Sequence, residues 1–287
     1  MHRKAFIRRA LLGAAAAVAS PATLTEGKPS PQTNPEPVGL NHLPNPKEER
    51  TMKSVLHKAA TRGHANHGWL DTHHTFSFAS YFNPERVHFG ALRVLNDDIV
   101  AGGRGFGTHP HDNMEIISIP LRGALEHKDS MNNKAVIKTG DVQVMSAGTG
   151  VYHSEYNRNA DEEVNFLQIW MFPNRKGVEP RYDQITLDPA EKNTLQQVLS
   201  PHKDDAGVWA HQQAWFHMGQ LEAGFATEYT VKQPGNGVYI FVIEGEVTVG
   251  DQTLGKRDGY GLWDTDAFTL TANQEAQVLL MEVPMEV

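Results

Sequence analysis

Short stretches in which apolar and polar residues alternate follow one another from about residue 55 to the end of the chain. Examples are FGALRVLND (89–97), MEIISIPLRG (114–123), NFLQIWMF (165–172) and VYIFVIEGEVTVG (238–250). A period of two, many β-branched residues and Gly, Asn or Asp turns about every ten residues predict an all-β sandwich or barrel. Helical periodicity is weak, and we predict one short helix, at DPAEKNTLQQVL (188–199).

The same order of strands and turns occurs twice in this part of the chain. An apolar strand and a turn glycine at 118–123 lead to a second strand at 139–143, and the same succession joins 241–245 to 258–263. Such internal similarity is the mark of a duplicated unit. We therefore predict two β-barrel domains, at 52–180 and 181–287, with the strands of the second starting near residue 195.

Composition excludes several classes of partner and site. The net charge is −8 with no long basic run, which argues against binding to nucleic acid or to an anionic membrane. The chain has no cysteine, so disulfides, thiolate metal sites and a cysteine nucleophile are excluded. Its 15 histidines are the obvious ligands for any transition metal.

The N-terminus resembles an export signal. Basic residues at Arg3, Lys4, Arg8 and Arg9 precede the short apolar run ALLGAAAAVAS (10–20), as in a secretory signal peptide that is too short for a stable membrane span. The Arg8-Arg9 pair suggests the twin-arginine route. We predict a signal peptide at 1–20, a proline-rich linker at 21–51 and a periplasmic mature protein without a membrane segment. The alternative is a disordered basic tail on a cytoplasmic protein.

Two pairs of residues have a spacing that places both members on one face of a strand. They are His109 with His111 in GTHPHDNMEI, and His153 with Glu155 in VYHSEY. If the two strands face each other inside one barrel, three imidazoles and a carboxylate converge, a set that suits Fe(II), Mn(II), Ni(II), Cu(II) or Zn(II). Glu115 is the alternative to Glu155 as the fourth ligand, because it would share the face of His111 if the strand continued regularly.

Longer patterns around these pairs resemble the motifs of the cupin superfamily, and of its pirin family in particular. The first cupin motif matches Gly103, His109, His111, Glu115 and Gly123, with seven residues instead of six before the last glycine. The second matches Gly140, Gly148, His153 and Asn157, with Ser146 in place of a proline and two more residues before the histidine. RGHANHGWLDTHHTFSFASYF (62–82), GFGTHPHDNMEI (105–116) and MSAGTGVYHSEYN (145–157) are similar to the pirin pattern almost throughout. The resemblance covers about residues 55–287.

The resemblance implies a fold and a metal centre. Pirins consist of two tandem cupin barrels of the jelly-roll type with little helix, so the resemblance implies this fold here. Their first barrel holds one metal, commonly iron, and the matching residues here are His109, His111, His153 and Glu155. Their second barrel has lost its ligands. We therefore expect one divalent transition metal, Fe(II) in the first place and Ni, Cu, Mn or Zn otherwise.

The resemblance also implies an activity. Bacterial pirins are similar to quercetin 2,3-dioxygenases, which open a flavonol ring with O2 and release carbon monoxide. We expect a small flavonol-like aromatic substrate and O2, in a monomer that binds no nucleic acid. Glu155 would be the catalytic base that takes the proton of the substrate's 3-hydroxyl.

Two other functions are compatible with a metal-containing barrel. One is a binding or sensor protein without turnover, since eukaryotic pirins are described as redox-sensitive cofactors of transcription. A deep apolar pocket over the metal would favour the enzyme, and a sealed metal beside an exposed apolar patch would favour the binding protein. The other is a sugar isomerase, which would require a polar pocket with Lys and Arg that the two motifs do not supply.

The remaining histidines and aromatics receive more modest interpretations. We expect His64, His67, His73 and His74 to order loops by hydrogen bonding rather than to bind metal. No partner spacing gives a role to His127, His202, His211 and His217. We expect core or lid positions for Trp69, Phe76, Phe78, Trp170 and Trp263. Phe106, just before the His-Pro-His segment, is a candidate for lining a flavonol-sized pocket.

Overall fold

The computed structural model describes residues 51–287. The predicted signal peptide and all but the last residue of the predicted linker lie outside these residues, and both stay predictions. The described residues form 22 strands and one 310 turn at Ala59–Thr61, which confirms the prediction of an all-β fold with little helix. Within 51–287, no helical segment is long and apolar enough to cross a membrane.

The strands are numbered in chain order. Those of the N-terminal half are β1 (Lys53–His57), β2 (Gly63–Asn66), β3 (Leu70–His74), β4 (Leu92–Val100), β5 (Gly105–His111), β6 (Glu115–Arg122), β7 (Ala124–Asp129), β8 (Lys134–Lys138), β9 (Asp141–Ser146), β10 (Val151–Asn157), β11 (Val164–Met171) and β12 (Arg181–Thr186). Those of the C-terminal half are β13 (Leu195–Ser200), β14 (Val208–Trp209), β15 (Trp215–Leu221), β16 (Ala226–Thr230), β17 (Asn236–Glu244), β18 (Glu246–Val249), β19 (Gln252–Gly255), β20 (Gly259–Trp263), β21 (Ala267–Ala272) and β22 (Ala276–Pro284).

Each half is a jelly-roll barrel made of one large and one small sheet. In the first half the sheets have the orders β12-β9-β6-β11-β4-β3-β2 and β5-β10-β7-β8. In the second half the orders are β1-β20-β17-β22-β15-β13-β14 and β16-β21-β18-β19. Strands β4 to β11 therefore correspond one by one to β15 to β22. The internal repeat seen in the sequence is the turn from β6 to β7 at Gly123 and its equivalent from β17 to β18 at Gly245, both with positive φ.

Two strands lie on the other side of the boundary expected at residue 180. β12 continues the large sheet of the first half by pairing with β9. β1 does the opposite and pairs with β20 in the large sheet of the second half. Next to it, the side chain of Asp258 accepts hydrogen bonds from the Lys58 ammonium at 2.8 Å and the Ala59 N–H at 2.7 Å. The first strand of the described chain is thus an edge strand of the second barrel.

The prediction of a helix at 188–199 is wrong. Residues 188–194 form an irregular turn with Asn193 at φ +62°, and β13 begins at Leu195. β13 pairs antiparallel with β15 and parallel with β14. Pairing with a neighbouring strand satisfies its backbone groups and outweighs a helical preference that was weak in the sequence.

The large sheet of the first half has two buried faces with different contents. Ile117, Ile119, Val142, Val144 and Leu167 belong to an apolar cluster that also contains residues of the second half. The alternate residues point into the first barrel because side chains along a strand alternate between faces. There, the cross-strand row Gln168–Ser118–Gln143 is polar and buried. It lies between apolar clusters that contain Phe166 on one side and Ile116 on the other.

Glu115 starts β6 on the face that is turned towards the second half, the face of Ile117. Its side chain is fully buried and accepts hydrogen bonds from the Ser146 hydroxyl at 2.8 Å and the His211 N–H at 3.1 Å. Burial raises the pKa of Glu115 from 4.5 to about 7, against the opposing effect of these hydrogen bonds. The acid is therefore protonated in the folded protein at pH values where it ionises in the unfolded chain.

This shift predicts a pH dependence of stability. A raised carboxyl pKa contributes stability fully below the unfolded pKa of 4.5, and that contribution is lost as the pH rises to about 7. The isosteric Glu115→Gln cannot ionise and does not lose this contribution. As the pH rises between these values, the unfolding free energy of the variant should therefore increase by about 3 kcal/mol relative to that of the wild type. Urea unfolding of both proteins at several pH values measures the difference. The exposed Glu163→Gln is the control and should show no such trend; parallel profiles for Glu115→Gln and the wild type would contradict the assignment.

Candidate metal centre

Three neighbouring strands of the small sheet bring the predicted residues together. β10 lies between β5 and β7. On one side, His153 is the register partner of His109, and Val151 is the partner of His111. On the other side, His153 pairs with Asp129, and Glu155 pairs with His127. Because partners in register project to the same face of a sheet, all of these side chains point into the first barrel.

The three histidines form a compact triangle. Ring centroids are 4.8 Å apart for His109 and His111, 4.4 Å for His109 and His153, and 4.9 Å for His111 and His153. One nitrogen from each ring lies within 4.8 Å of the others. His153 is almost completely buried, whereas His109 and His111 are half-buried, so the triangle is accessible from the side of β5.

The nitrogen atoms of this triangle are suited to metal ligation. Three ring nitrogens are buried without a hydrogen-bond partner in the protein: His111 Nε2 and both nitrogens of His153. Burying them costs free energy unless another group, such as a metal ion, binds to them. Burial, with the neighbouring His153 and His109, lowers the pKa of His111 to about 4. Burial, with His109 and His127, lowers the pKa of His153 to about 3. Both rings are therefore neutral at pH 7, the form in which imidazole binds a metal.

A backbone contact orients the third ring. His109 Nδ1 lies 2.8 Å from the carbonyl oxygen of Gly107, which requires the proton on Nδ1 and leaves the lone pair on Nε2. Fixing the tautomer through the nitrogen that does not bind the ion is a common feature of histidine metal sites. The residues present therefore fit a divalent transition metal.

Glu155 is held by a buried network beside the triangle. Its carboxylate accepts from Gln168 Nε2 at 2.6 Å and from Ser118 Oγ at 3.0 Å. Ser118 Oγ also lies 2.9 Å from Gln168 Oε1, but a hydroxyl has a single proton to donate. When Glu155 is ionised, Ser118 donates to it; when Glu155 is protonated, it donates to Ser118, which then donates to Gln168. The carboxyl group of Glu155 therefore keeps hydrogen bonds to Ser118 and to Gln168 in both protonation states without movement of a heavy atom.

His127 lies in the same place, although no spacing in the sequence predicted a role for it. Together with His153 and Glu155 it forms a second group whose potential ligand atoms lie within 4.8 Å of one another. Its Nε2 lies 3.0 Å from Asp129 Oδ2, and both side chains are completely buried. Its Nδ1 has no partner in the protein, and its ring packs on Tyr182 at 4.6 Å. In the sequence, the one pattern that could have pointed to His127 was its spacing of two residues from Asp129 in EHKD (126–129), which places both on one face of a strand. That spacing indicates a site only once β7 is known to pair with β10.

Glu115, the alternative ligand, is not in either group with the histidines. The strand does not continue from His111, since a turn with Asn113 at φ +45° separates β5 from β6. Because of this turn, the even spacing between His111 and Glu115 no longer places them on one face of a strand. Glu115 faces the second half of the protein. The ligand set His109, His111, His153 and Glu155 stays a prediction, and its four residues line one side of the barrel interior.

Aromatic residues surround the centre. Trp170 packs edge-on against His111 at 4.8 Å, next to the partly buried Met114 and Met131. Phe106, the candidate for lining a pocket, packs against Trp69 at 5.5 Å beside an apolar cluster. A bulge explains its position, because β5 has one extra residue between the partners of His153 and Glu155, so that Phe106 and His109 both face inward.

Other predicted roles can now be compared with positions. Phe76 is a fully buried core residue, and Phe78, Trp170 and Trp263 pack against neighbouring aromatic rings. His217 is buried near Tyr229, whose hydroxyl donates to Glu282. Among the described residues, the groups of three side chains that could hold a metal all lie between residues 64 and 155. In the second barrel, an apolar cluster lies beside the buried His217 and Glu282.

Comparison with known proteins agrees with this architecture. Residues 55–171 match the family model of pirin, and residues 197–283 match the model of the quercetinase C-terminal cupin domain. A protein of Escherichia coli K12 named quercetin 2,3-dioxygenase is 44% identical over 231 residues, which are 80% of this chain and 98% of that protein. A protein of Pseudomonas aeruginosa named putative quercetin 2,3-dioxygenase is 42% identical, over 77% of this chain and 95% of its own.

Solved structures are similar over the same region. The crystal structure of YhhW from Escherichia coli superposes with a TM-score of 0.78 at 42% identity, covering 82% of this chain and 99% of that one. The crystal structure of the bacterial pirin YhhW in complex with nickel(II) gives a TM-score of 0.77 at 41% identity, covering 82% and 100%. With both barrels matched and nearly the full length of these relatives covered, the chain belongs to the pirin family of cupin proteins.

Proposed function

We propose that this protein is a metal-dependent dioxygenase that opens the ring of a flavonol such as quercetin with O2 and releases carbon monoxide. The observation that supports the proposal most directly is the pairing of two features in one buried place. Unpartnered imidazole nitrogens converge there, and a carboxylate lies beside them in a network that tolerates its protonation. The names of the relatives from Escherichia coli and Pseudomonas aeruginosa support the same reaction class.

Each residue has a defined task in this proposal. His109, His111 and His153 hold the ion, with Glu155 as a further ligand or as a free base. A bound divalent ion acts as a Lewis acid that lowers the pKa of the substrate's 3-hydroxyl. Glu155 accepts the proton of that hydroxyl, and Ser118 and Gln168 hold the carboxylate in place before and after the transfer.

The surroundings favour an electron-rich aromatic substrate. Trp170 and the two methionines next to it supply apolar surface beside His111, while His109 and His111 stay accessible to solvent. A flavonol could approach from the side of β5, and burial of its ring against this surface would exclude water from the reacting atoms. Fe(II) is the ion we propose for the cell, and Ni(II) is the natural comparison because a related pirin has been solved with nickel(II).

The activity can be tested directly. Quercetin is mixed with the protein loaded with Fe(II), Ni(II), Cu(II), Mn(II) or Zn(II), and carbon monoxide release and O2 uptake are measured together. We expect the two gases in a ratio of one to one with at least one metal. His109→Ala should lose the release, whereas the exposed His202→Ala should keep it. If a tightly bound ion is present and no metal gives carbon monoxide, a binding or sensor protein becomes the better interpretation.

The role of Glu155 has a separate test. In Glu155→Gln the amide keeps the shape of the carboxyl group and can still bond with Ser118 and Gln168, but it cannot take a proton. The three histidines should retain the metal, and kcat for flavonol cleavage should fall by about 100-fold or more, as for loss of a general base.

Two measurements accompany this variant. Metal content by elemental analysis shows whether the ion is retained. Glu115→Gln is the matched control, because Glu115 is an equally buried acid outside the histidine cluster, and its kcat should stay near that of the wild type. Full activity of metal-loaded Glu155→Gln would show that Glu155 is not the base.

A further inference from the structure

A second group of metal-ligating side chains lies on the hairpin of β2 and β3, at the edge of the large sheet. His64 is the register partner of His73, so the two rings project to the same face of the hairpin. Asp71 precedes His73 by two residues on the same strand and therefore shares that face. The metal centre described above lies on the other sheet of the barrel, on β5, β7 and β10, so the two groups are structurally separate.

Both imidazole rings lie near the same carboxylate oxygen of Asp71. Asp71 Oδ1 lies 2.7 Å from His64 Nε2 and 4.0 Å from His73 Nδ1. The two imidazole rings are stacked, with centroids 4.3 Å apart and planes 17° from parallel. One donor atom from each residue lies within 4.8 Å of the other two. Small rotations of the side chains would bring all three within ligand distance of one ion.

The backbone that carries the trio is well held, and its side chains are accessible. β3 pairs with β4 on one side and β2 on the other, so the positions of Asp71 and His73 are fixed by two strands. Their side chains and that of His64 are between about one third and one half exposed, and an ion can therefore enter directly from solvent.

The local charges also permit a cation. Burial, followed by Arg62 and His64, lowers the pKa of His73, so this ring is neutral at pH 7 and offers a lone pair. Arg62, the positive charge that acts on His73, is itself paired with Asp97 at 3.5 Å. Asp71 supplies the negative charge that a divalent ion requires.

We propose that His64, Asp71 and His73 form a second metal site, which binds one Zn(II) with water as the fourth ligand. Two imidazoles and one carboxylate with an open position are a common zinc ligand set. The ion would replace the proton shared by His64 and Asp71 and would join β2 to β3. This proposal differs from the expectation from sequence that these histidines order loops by hydrogen bonding, and it does not depend on the proposed dioxygenase activity.

Zinc stoichiometry of the full chain tests the proposal. Protein is dialysed against buffered Zn(II) and its metal content is determined by elemental analysis. We expect two ions per chain for the wild type and for the exposed His202→Ala control. His73→Ala and the isosteric Asp71→Asn should bind one. His109→Ala should also bind one, and the double variant of His109→Ala with His73→Ala should bind none.

Thermal unfolding gives an independent readout, since an ion that binds only the folded state raises Tm. Zn(II) should raise the Tm of His109→Ala but not that of the double variant. The proposal is overturned if His73→Ala and Asp71→Asn bind as much zinc as the wild type, or if His109→Ala binds none. In that case His64 and Asp71 form an ordinary surface hydrogen bond.

Discussion

The pairing of β10 with β5 on one side and with β7 on the other is the constraint on which the candidate centre depends. A strand carries side chains on one face only at alternate residues, and residues two apart are already separated by about 7 Å along the strand. A single strand therefore brings no more than a pair of them close to one ion. Here three strands each contribute, and the register decides which residues meet: His153 stands opposite His109, and Glu155 stands opposite His127. A shift of one residue in either pairing would turn the set outward and remove the site.

The two barrels show how the same framework can either keep or exclude such a centre. In the first barrel, Ser118 and Gln168 are register partners that hold Glu155. The equivalent partners in the second barrel are Ile240 and Leu280, which belong to a continuous apolar cluster. Polar residues in the inward row are costly unless they bond to one another. At this pair of positions only the first barrel has polar residues, which indicates that Ser118 and Gln168 serve the carboxylate rather than the fold.

Much of this architecture could be predicted from sequence because strands impose a period of two. That period identified the all-β class, the duplication, and the two pairs His109/His111 and His153/Glu155. It did not identify His127, because no local spacing reveals which strand will lie next to β10. The same limit explains the error at 188–199, where pairing with distant strands outweighed a local helical pattern. It also explains why Glu115 was considered as a ligand: one turn residue with positive φ ends the strand of His111 and places Glu115 on the opposite side of the sheet from the histidines.

The position of β1 has a consequence for the unity of the molecule. The second barrel obtains an edge strand from the beginning of the described residues, about 200 residues before β20. His57 at the end of this strand is hydrogen-bonded to the Tyr239 hydroxyl at 2.8 Å. A fragment that begins after the first barrel would expose the unpaired edge of β20, and such edges promote aggregation. Although the sequence contains two copies of a barrel, the halves are therefore not interchangeable modules: the second barrel is complete only when the first strand of the described residues has paired with it.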